Sequence, residues 1–258
     1  MTTPDDYRAF FNTDDPQRWG RTEMPTQRRE TASWLRSTAF ATDARILEVG
    51  CGMGVLSDVH PGWVGADFSL PALRRVEKGR PVMQADMQRL PVRADSVDFL
   101  FSWAAIEHVP SPELAMQEIE RVLKPGGVAL LAPAWNVRAW ASKALPVRPF
   151  HELSAPDALH KLAIPILNNV VWRAAVAMPR RLRREALLFL GRPVAFEYRR
   201  LTPNLTSYAY TDSDAFASMD SHAAITYFAS RHWEVLSHRG VLRRLRARAE
   251  PVVVRKPR

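Results

Sequence analysis

Cysteine is nearly absent: Cys51 is the only one in 258 residues. A lone cysteine excludes an internal disulfide framework and leaves no thiolate set for structural zinc. Its place within a glycine turn marks it as a small buried filler rather than a reactive thiol. Long apolar runs are missing too. The nearest candidate, residues 162–179, is interrupted by Pro165, Asn168, Asn169 and Arg173, so no uninterrupted membrane-spanning run exists. The N-terminus is polar and acidic, without a signal-peptide pattern. No internal repeat, low-complexity linker or cluster of metal-ligating residues stands out. These absences lead to the expectation of a cytoplasmic protein that needs no metal.

What remains is one large domain, or one domain with an insertion, whose 47% hydrophobic content suffices for a real core. The net charge of +9 is unevenly placed. Residues 173–200 carry eight Arg against two Glu, and residues 239–258 carry seven Arg and one Lys against one Glu. The rest of the chain is therefore net negative. Basic segments of this kind meet nucleic acid, anionic lipid or an acidic substrate, or simply form a solvated Arg-rich face.

The chain is organised around Ile46-Leu47-Glu48-Val49-Gly50-Cys51-Gly52-Met53-Gly54. The apolar residues suit a central parallel strand. The three glycines permit positive φ and let a ligand approach the backbone. A brief helix over about 53–59 is expected next, ended by His60-Pro61-Gly62. Further strands follow at 63–67 and 82–87, each carrying an acid, then at 96–102. A Lys124-Pro125-Gly126-Gly127 turn leads into a fifth strand. Helices are expected over 28–40, from a Ser69 cap to about Lys78, over 112–123, and over 158–178 with a break near Pro165. Thr211-Asp212-Ser213-Asp214 reads as a helix start, with Asp220 and His222 leading another helix. Late strands are expected at 232–236 and 252–254.

The stretches ILEVGCGMG, VGADFS, ADMQRLPVRADSVDFLFS, IEHV and RVLKPGGVALLAP stand in the order found in the class I S-adenosylmethionine-dependent methyltransferases, and about a third of the chain resembles that family. The resemblance is to its Methyltransf_11-like, small-molecule branch. It implies an α/β fold: a Rossmann-like, mostly parallel seven-stranded sheet with helices on both faces, here with an inserted helical cap. The expected division is an N-terminal lid or arm over 1–40, a cofactor-binding core over 41–134, a cap bearing the substrate region over 135–207, and completion of the core over 208–258.

The implied cofactor is S-adenosylmethionine. Gly50, Cys51, Gly52 and Gly54 would lie against its amino-acid part, with Glu48 supporting that loop. Asp67, with Phe68 beside it, would hold the ribose, since a carboxylate at this place accepts both hydroxyls. Asp86 and Met87 would take the adenine. Ser102 and Trp103, at the C-terminal end of the fourth strand, would face the methionine part. Ser-Trp-Ala-Ala at 102–105 replaces the Asn/Asp-Pro-Pro-aromatic motif of enzymes that methylate exocyclic amines of nucleobases, which argues against that branch. His108 is a candidate general base for a substrate hydroxyl; the alternative is a structural Glu107-His108 pair. Trp19 in the N-terminal arm, and Trp135 and Trp140 at the start of the cap, are candidate substrate wall.

The expected activity is methyl transfer to a small-molecule or lipid- or glycan-linked acceptor, with oxygen favoured over carbon or nitrogen. The apolar helix beside Arg180-Arg181-Leu182-Arg183-Arg184 fits either a buried cap helix with a solvated end or an interfacial segment, the latter implying peripheral membrane contact. An RNA methyltransferase using the Arg-rich segments is an alternative, but no RNA-binding module is visible and nucleic acid is disfavoured. A non-catalytic partner that binds the cofactor is another. A nicotinamide dehydrogenase fits less well, because the turn is GxGxG rather than GxGxxG.

Overall fold

Alternation along the central strands decides what packs on each face of the sheet. In the computed structural model, which describes residues 4–14, 23–38, 40, 43–205, 208 and 210–258, β1 (Ile46–Val49) is buried at every position. It pairs in parallel with β2 (Trp63–Asp67) on one side and β4 (Val97–Trp103) on the other. The short β3 (Val82–Gln84) forms one edge, and β5 (Leu123–Ala132) continues beyond β4. β8 (Glu234–Val235) and β9 (Val252–Arg255) close the other edge, giving the order β3-β2-β1-β4-β5-β9-β8, with β9 antiparallel to both neighbours. The seven-stranded, mostly parallel sheet has the expected form. A separate hairpin pairs β6 (Tyr198–Arg200) with β7 (Ala217–Met219).

Leu47, Val49, Leu100, Ala129, Leu131 and Val254 point to one face, against α4 (Pro112–Val122) and α8 (Ser221–Ala229). Ile46, Phe99, Phe101, Leu130 and Val253 point to the other, against α2 (Pro25–Ser37), α3 (Leu70–Leu73) and the segment after β1. Each large side chain so buried contributes about 2–3 kcal/mol. α1 (Pro4–Asn12) lies over the edge at β2 and β3, where Asn12 accepts from the Leu70 N–H and the Gln84 amide. Between β5 and β6 stand α5 (Ala139–Ser142), α6 (Ala155–Leu167) and α7 (Val170–Phe189), and α9 (Val241–Arg246) precedes β9.

Several expectations change. No helix follows β1. Residues 53–59 form successive turns, with Gly54 bonding back to Cys51, Ser57 to Gly54 and Val59 to Leu56, because a crossover this short leaves no room for a helical axis. α3 spans only four residues, although Ser69 caps it as expected by accepting from the Ala72 N–H. Residues 211–214 form a turn into β7 rather than a helix start; the helix begins after the Asp220 cap. The apolar cap helix bends by 92° at Asn168–Asn169 rather than at Pro165. Asn169 caps α7 with its side chain, whereas Pro165 lies within the last turns of α6.

Candidate functional site

The turn after β1 puts all three glycines in the left-handed region, at φ 76, 53 and 67 for Gly50, Gly52 and Gly54. Two of them are packing positions. A Cβ on Gly50 would lie 2.2 Å from the Cβ of Ala105, and one on Gly54 would lie 2.9 Å from Val76. Gly52 differs: among the described residues no atom lies within 4 Å of where its Cβ would be. The turn is therefore closed against the protein at its ends and open in its middle, which is where a ligand can reach the backbone. Cys51 is buried, and its sulfur closes against Gly65 of β2. Burial raises its pKa, followed by the nearby Asp67 and Glu48 charges, so the thiol is inert packing.

Asp67 ends β2 and holds the turn. One oxygen accepts the Gly52 N–H at 2.7 Å and the other the Ser69 N–H at 2.8 Å. Burial nevertheless raises its pKa, against the pull of those N–H groups. Glu48 reaches across to β2. Its carboxylate accepts the Trp63 indole N–H at 2.8 Å, and burial raises its pKa to about 8. Asp86 accepts the Gln88 backbone N–H at 2.9 Å and the Gln88 side-chain amide at 3.0 Å, while Gln88 in turn accepts the Ser111 N–H. The Met87 methyl comes to the Gly50 side of the turn, 3.7 Å from the site of its absent Cβ. The Phe68 and Tyr7 rings lie 5.0 Å apart.

Tyr7, on α1, is the residue that sequence reasoning passed over. It is buried among Phe11, Phe68 and Phe216. Its hydroxyl pKa is raised, first by burial and then by the Asp86 and Asp67 charges. Both carboxylates thus lie near the Tyr7 hydroxyl that α1 brings to this side. No residue in the N-terminal stretch repeats at a spacing that signals this role.

At the C-terminal end of β4, Ser102 is buried and its hydroxyl has no partner among the described residues. The Trp103 indole donates to Thr31 of α2 at 3.0 Å. Ala104, at φ 46, then turns the chain into a 3-10 turn at Ile106–His108. Glu107 is buried. One oxygen accepts the Ala134 N–H after β5 at 2.8 Å, the other has no hydrogen-bond partner among the described residues, and burial raises the pKa of Glu107. The His108 ring lies 3.4 Å from Asp214 and 3.8 Å from Glu107. Burial opposes its charge, but Glu107 and Asp214, with Asp212 behind them, hold its pKa above the ordinary value. Asp212 and Asp214 belong to the turn that the sequence pattern assigned to a helix.

The tryptophans separate. Trp135 is half-buried, and its buried indole nitrogen has no partner among the described residues. Trp140 is buried in a small cluster with Val137, Leu145 and Ala215, edge-on to His160 at 6.2 Å, so it packs the cap internally. Trp19 lies outside the described residues.

The arrangement fits S-adenosylmethionine in the chemistry of its groups: a glycine turn open in its middle, two carboxylates near the Tyr7 hydroxyl, and at the adjoining strand end a buried hydroxyl with no partner among the described residues. Residues 47–131 match the family model described as Methyltransferase domain. A tRNA (carboxymethyluridine(34)-5-O)-methyltransferase of Arabidopsis thaliana is 33% identical over 39% of this chain and 27% of its own length. A malonyl-[acyl-carrier protein] O-methyltransferase of Enterobacter lignolyticus is 31% identical over 40% of this chain and 43% of its own. The chain thus spans less than half the length of either relative. Among solved structures, SAM-bound CalS10, an amino pentose methyltransferase from Micromonospora echinaspora, aligns at TM-score 0.38 with 24% identity, over 46% of this chain and 54% of that one. Residues 47–131, with this sheet order and this glycine turn, form a methyltransferase domain of the class I S-adenosylmethionine-dependent kind.

Proposed function

We propose that the chain methylates an oxygen of a small or lipid-linked acceptor that enters at the C-terminal ends of β4 and β5. One observation carries this reading. The Ser102 hydroxyl, the second Glu107 oxygen and the Trp135 indole nitrogen are all buried there without hydrogen-bond partners among the described residues. Leaving a buried polar atom unpaired costs about 1–3 kcal/mol, so a polar acceptor gains by pairing with such atoms.

When bound, S-adenosylmethionine supplies a methyl group on a sulfonium, so the acceptor needs alignment and the loss of one proton. Ser102 and Trp135 orient the acceptor oxygen, and α1 excludes water. His108 takes the hydroxyl proton, and Asp214 steadies the resulting cation. Only the neutral imidazole can accept a proton. Since the His108 pKa lies above its ordinary value, turnover should climb with pH through a range above 6.5.

The test is transfer of labelled methyl from S-adenosylmethionine to polar and lipid extracts, with products identified by mass spectrometry. His108→Ala should slow turnover about 100-fold while cofactor affinity stays unchanged. A second reading, methylation of RNA, is favoured by the tRNA-modifying relative. It is weakened by the inward use of Arg181, Arg184 and Arg244 in ion pairs. Transfer to RNA alone, suppressed by salt, would replace the first reading; tight cofactor binding with no transfer to any extract would point to a non-catalytic partner.

A further inference from the structure

α7 is built inside out. Its charged face turns inward. Arg181 and Arg184 are buried and meet Asp220 at 2.6 and 3.0 Å, and Glu185 meets Arg244 and, at 3.1 Å, His222. Its apolar face turns to solvent. Val171, Met178, Leu182 and Phe189 recur at helical spacing along the outer side, exposed by 72, 37, 52 and 91%. Leu162 and Ile166 continue the patch on α6, and Trp172 is half exposed at the 92° bend. A monomer gains nothing from an outward stripe of this length, and such patches mark contact surfaces.

Charge selects what covers it. Arg173, Arg180 and Arg183 are exposed alongside the stripe. The two carboxylates within α6 and α7 are already engaged, Asp157 by Lys143 and Glu185 by Arg244. Beyond the end of α7, Arg192, Arg199 and Arg200 are exposed as well. Glu197, exposed among them, is taken by Arg183 and Arg184, so the rim is net cationic and offers no free carboxylate of its own. A second copy laid on the same face would set arginine against arginine, whereas an anionic lipid surface complements both the apolar stripe and its rim. An outward Leu/Phe/Trp face with flanking arginines is what an interfacial helix requires. No single described helix is long and apolar enough to cross a membrane; α6 and α7 reach that length and composition only as a pair bent by 92°, and the exposed Arg173, Arg180 and Arg183 suit a surface rather than a span.

We infer that the α6–α7 hairpin seats the protein on an anionic phospholipid surface, with Val171, Leu182 and Phe189 in the acyl boundary and Arg173, Arg180 and Arg183 at the headgroups. The hairpin leaves the sheet after the C-terminal end of β5, the edge that carries the site, so a lipid-linked acceptor would be presented from the docked side. That last step rests on the acceptor reading above; the docking itself does not.

The test is co-sedimentation of the full chain with vesicles of phosphatidylcholine alone or mixed equally with phosphatidylglycerol, without cofactor or acceptor. The wild type should sediment with the mixed vesicles and be released by salt. Leu182→Asp with Phe189→Asp should weaken binding at least tenfold. Arg180→Gln with Arg183→Gln should weaken it by about fivefold per arginine, ~1 kcal/mol each. All four positions are exposed, so thermal midpoints and circular dichroism should stay at wild-type values. Failure of the wild type to bind mixed vesicles at low salt overturns the inference, as does unaltered binding by the aspartate variant. A dimer by light scattering that the aspartate variant splits would give the face to a second copy. Because no methyl transfer is read, loss of vesicle binding leaves the enzymatic reading standing, and the reverse holds too.

Discussion

Gly50 and Gly52 stand two residues apart with similar backbone angles, yet their surroundings set different consequences. Alanine at 50 meets both left-handed strain and the Ala105 side chain, so Gly50→Ala should lose about 3 kcal/mol of stability in urea titration. Alanine at 52 meets only the strain and should lose about 1 kcal/mol, while its methyl enters the open side of the turn and blocks the cofactor. Equal losses in both variants would contradict the division of the turn into packing and binding glycines. Glu48 gives a second check at this scale. Its folded pKa, about 8, lies above the ordinary 4.5. Between those values the folded state holds a proton that the unfolded chain has released, so stability falls as pH rises. Glu48→Gln keeps an acceptor for the Trp63 indole and should flatten that slope; a slope unchanged in the variant would assign it to another group.

Among the elements, α7 shows what pairing can do that counting arginines cannot. Asp220 caps α8 and receives both Arg181 and Arg184. Asp220→Ala leaves two buried guanidinium groups without it and should cost about 4 kcal/mol. Arg183 and Glu197 are both exposed, so Arg183→Ala should cost less than about 1 kcal/mol. Chemical denaturation of the two variants reads the difference directly, and a large loss from Arg183→Ala would refute the inward-facing network. The network also joins the two basic segments, through Arg244 to Glu185 and Arg181 to the Leu245 carbonyl. The Arg180–Arg184 run told nothing of this, because the direction of each guanidinium depends on which face of α7 packs. The strands were legible, since short apolar runs are local signals, although β5 takes in Lys124-Pro125-Gly126-Gly127, which was expected as a turn before it. The run of turns after β1 and the four-residue α3 were not, because crossover length overrides helical propensity there.

At the scale of the molecule, the sequence placed the cofactor side of the site better than the acceptor side. Gly52, Asp67 and Asp86 come from one continuous stretch whose spacing carries the pattern, and they meet at one sheet edge. The partners of His108 come from far along the chain: Asp212 and Asp214 arrive only after the helices that follow β5, and Phe11 arrives from α1, which carries no periodic signal. Long-range closure of this kind leaves no trace in local composition. The account depends most on the glycine turn and Asp67 forming a working cofactor site in this chain. Calorimetric titration with S-adenosylmethionine, for the wild type and for Asp67→Ala, measures that directly. The account predicts one-to-one binding that the substitution weakens at least about tenfold, ~1.4 kcal/mol. A folded wild type that takes up no cofactor, or a variant that binds as tightly, would contradict it.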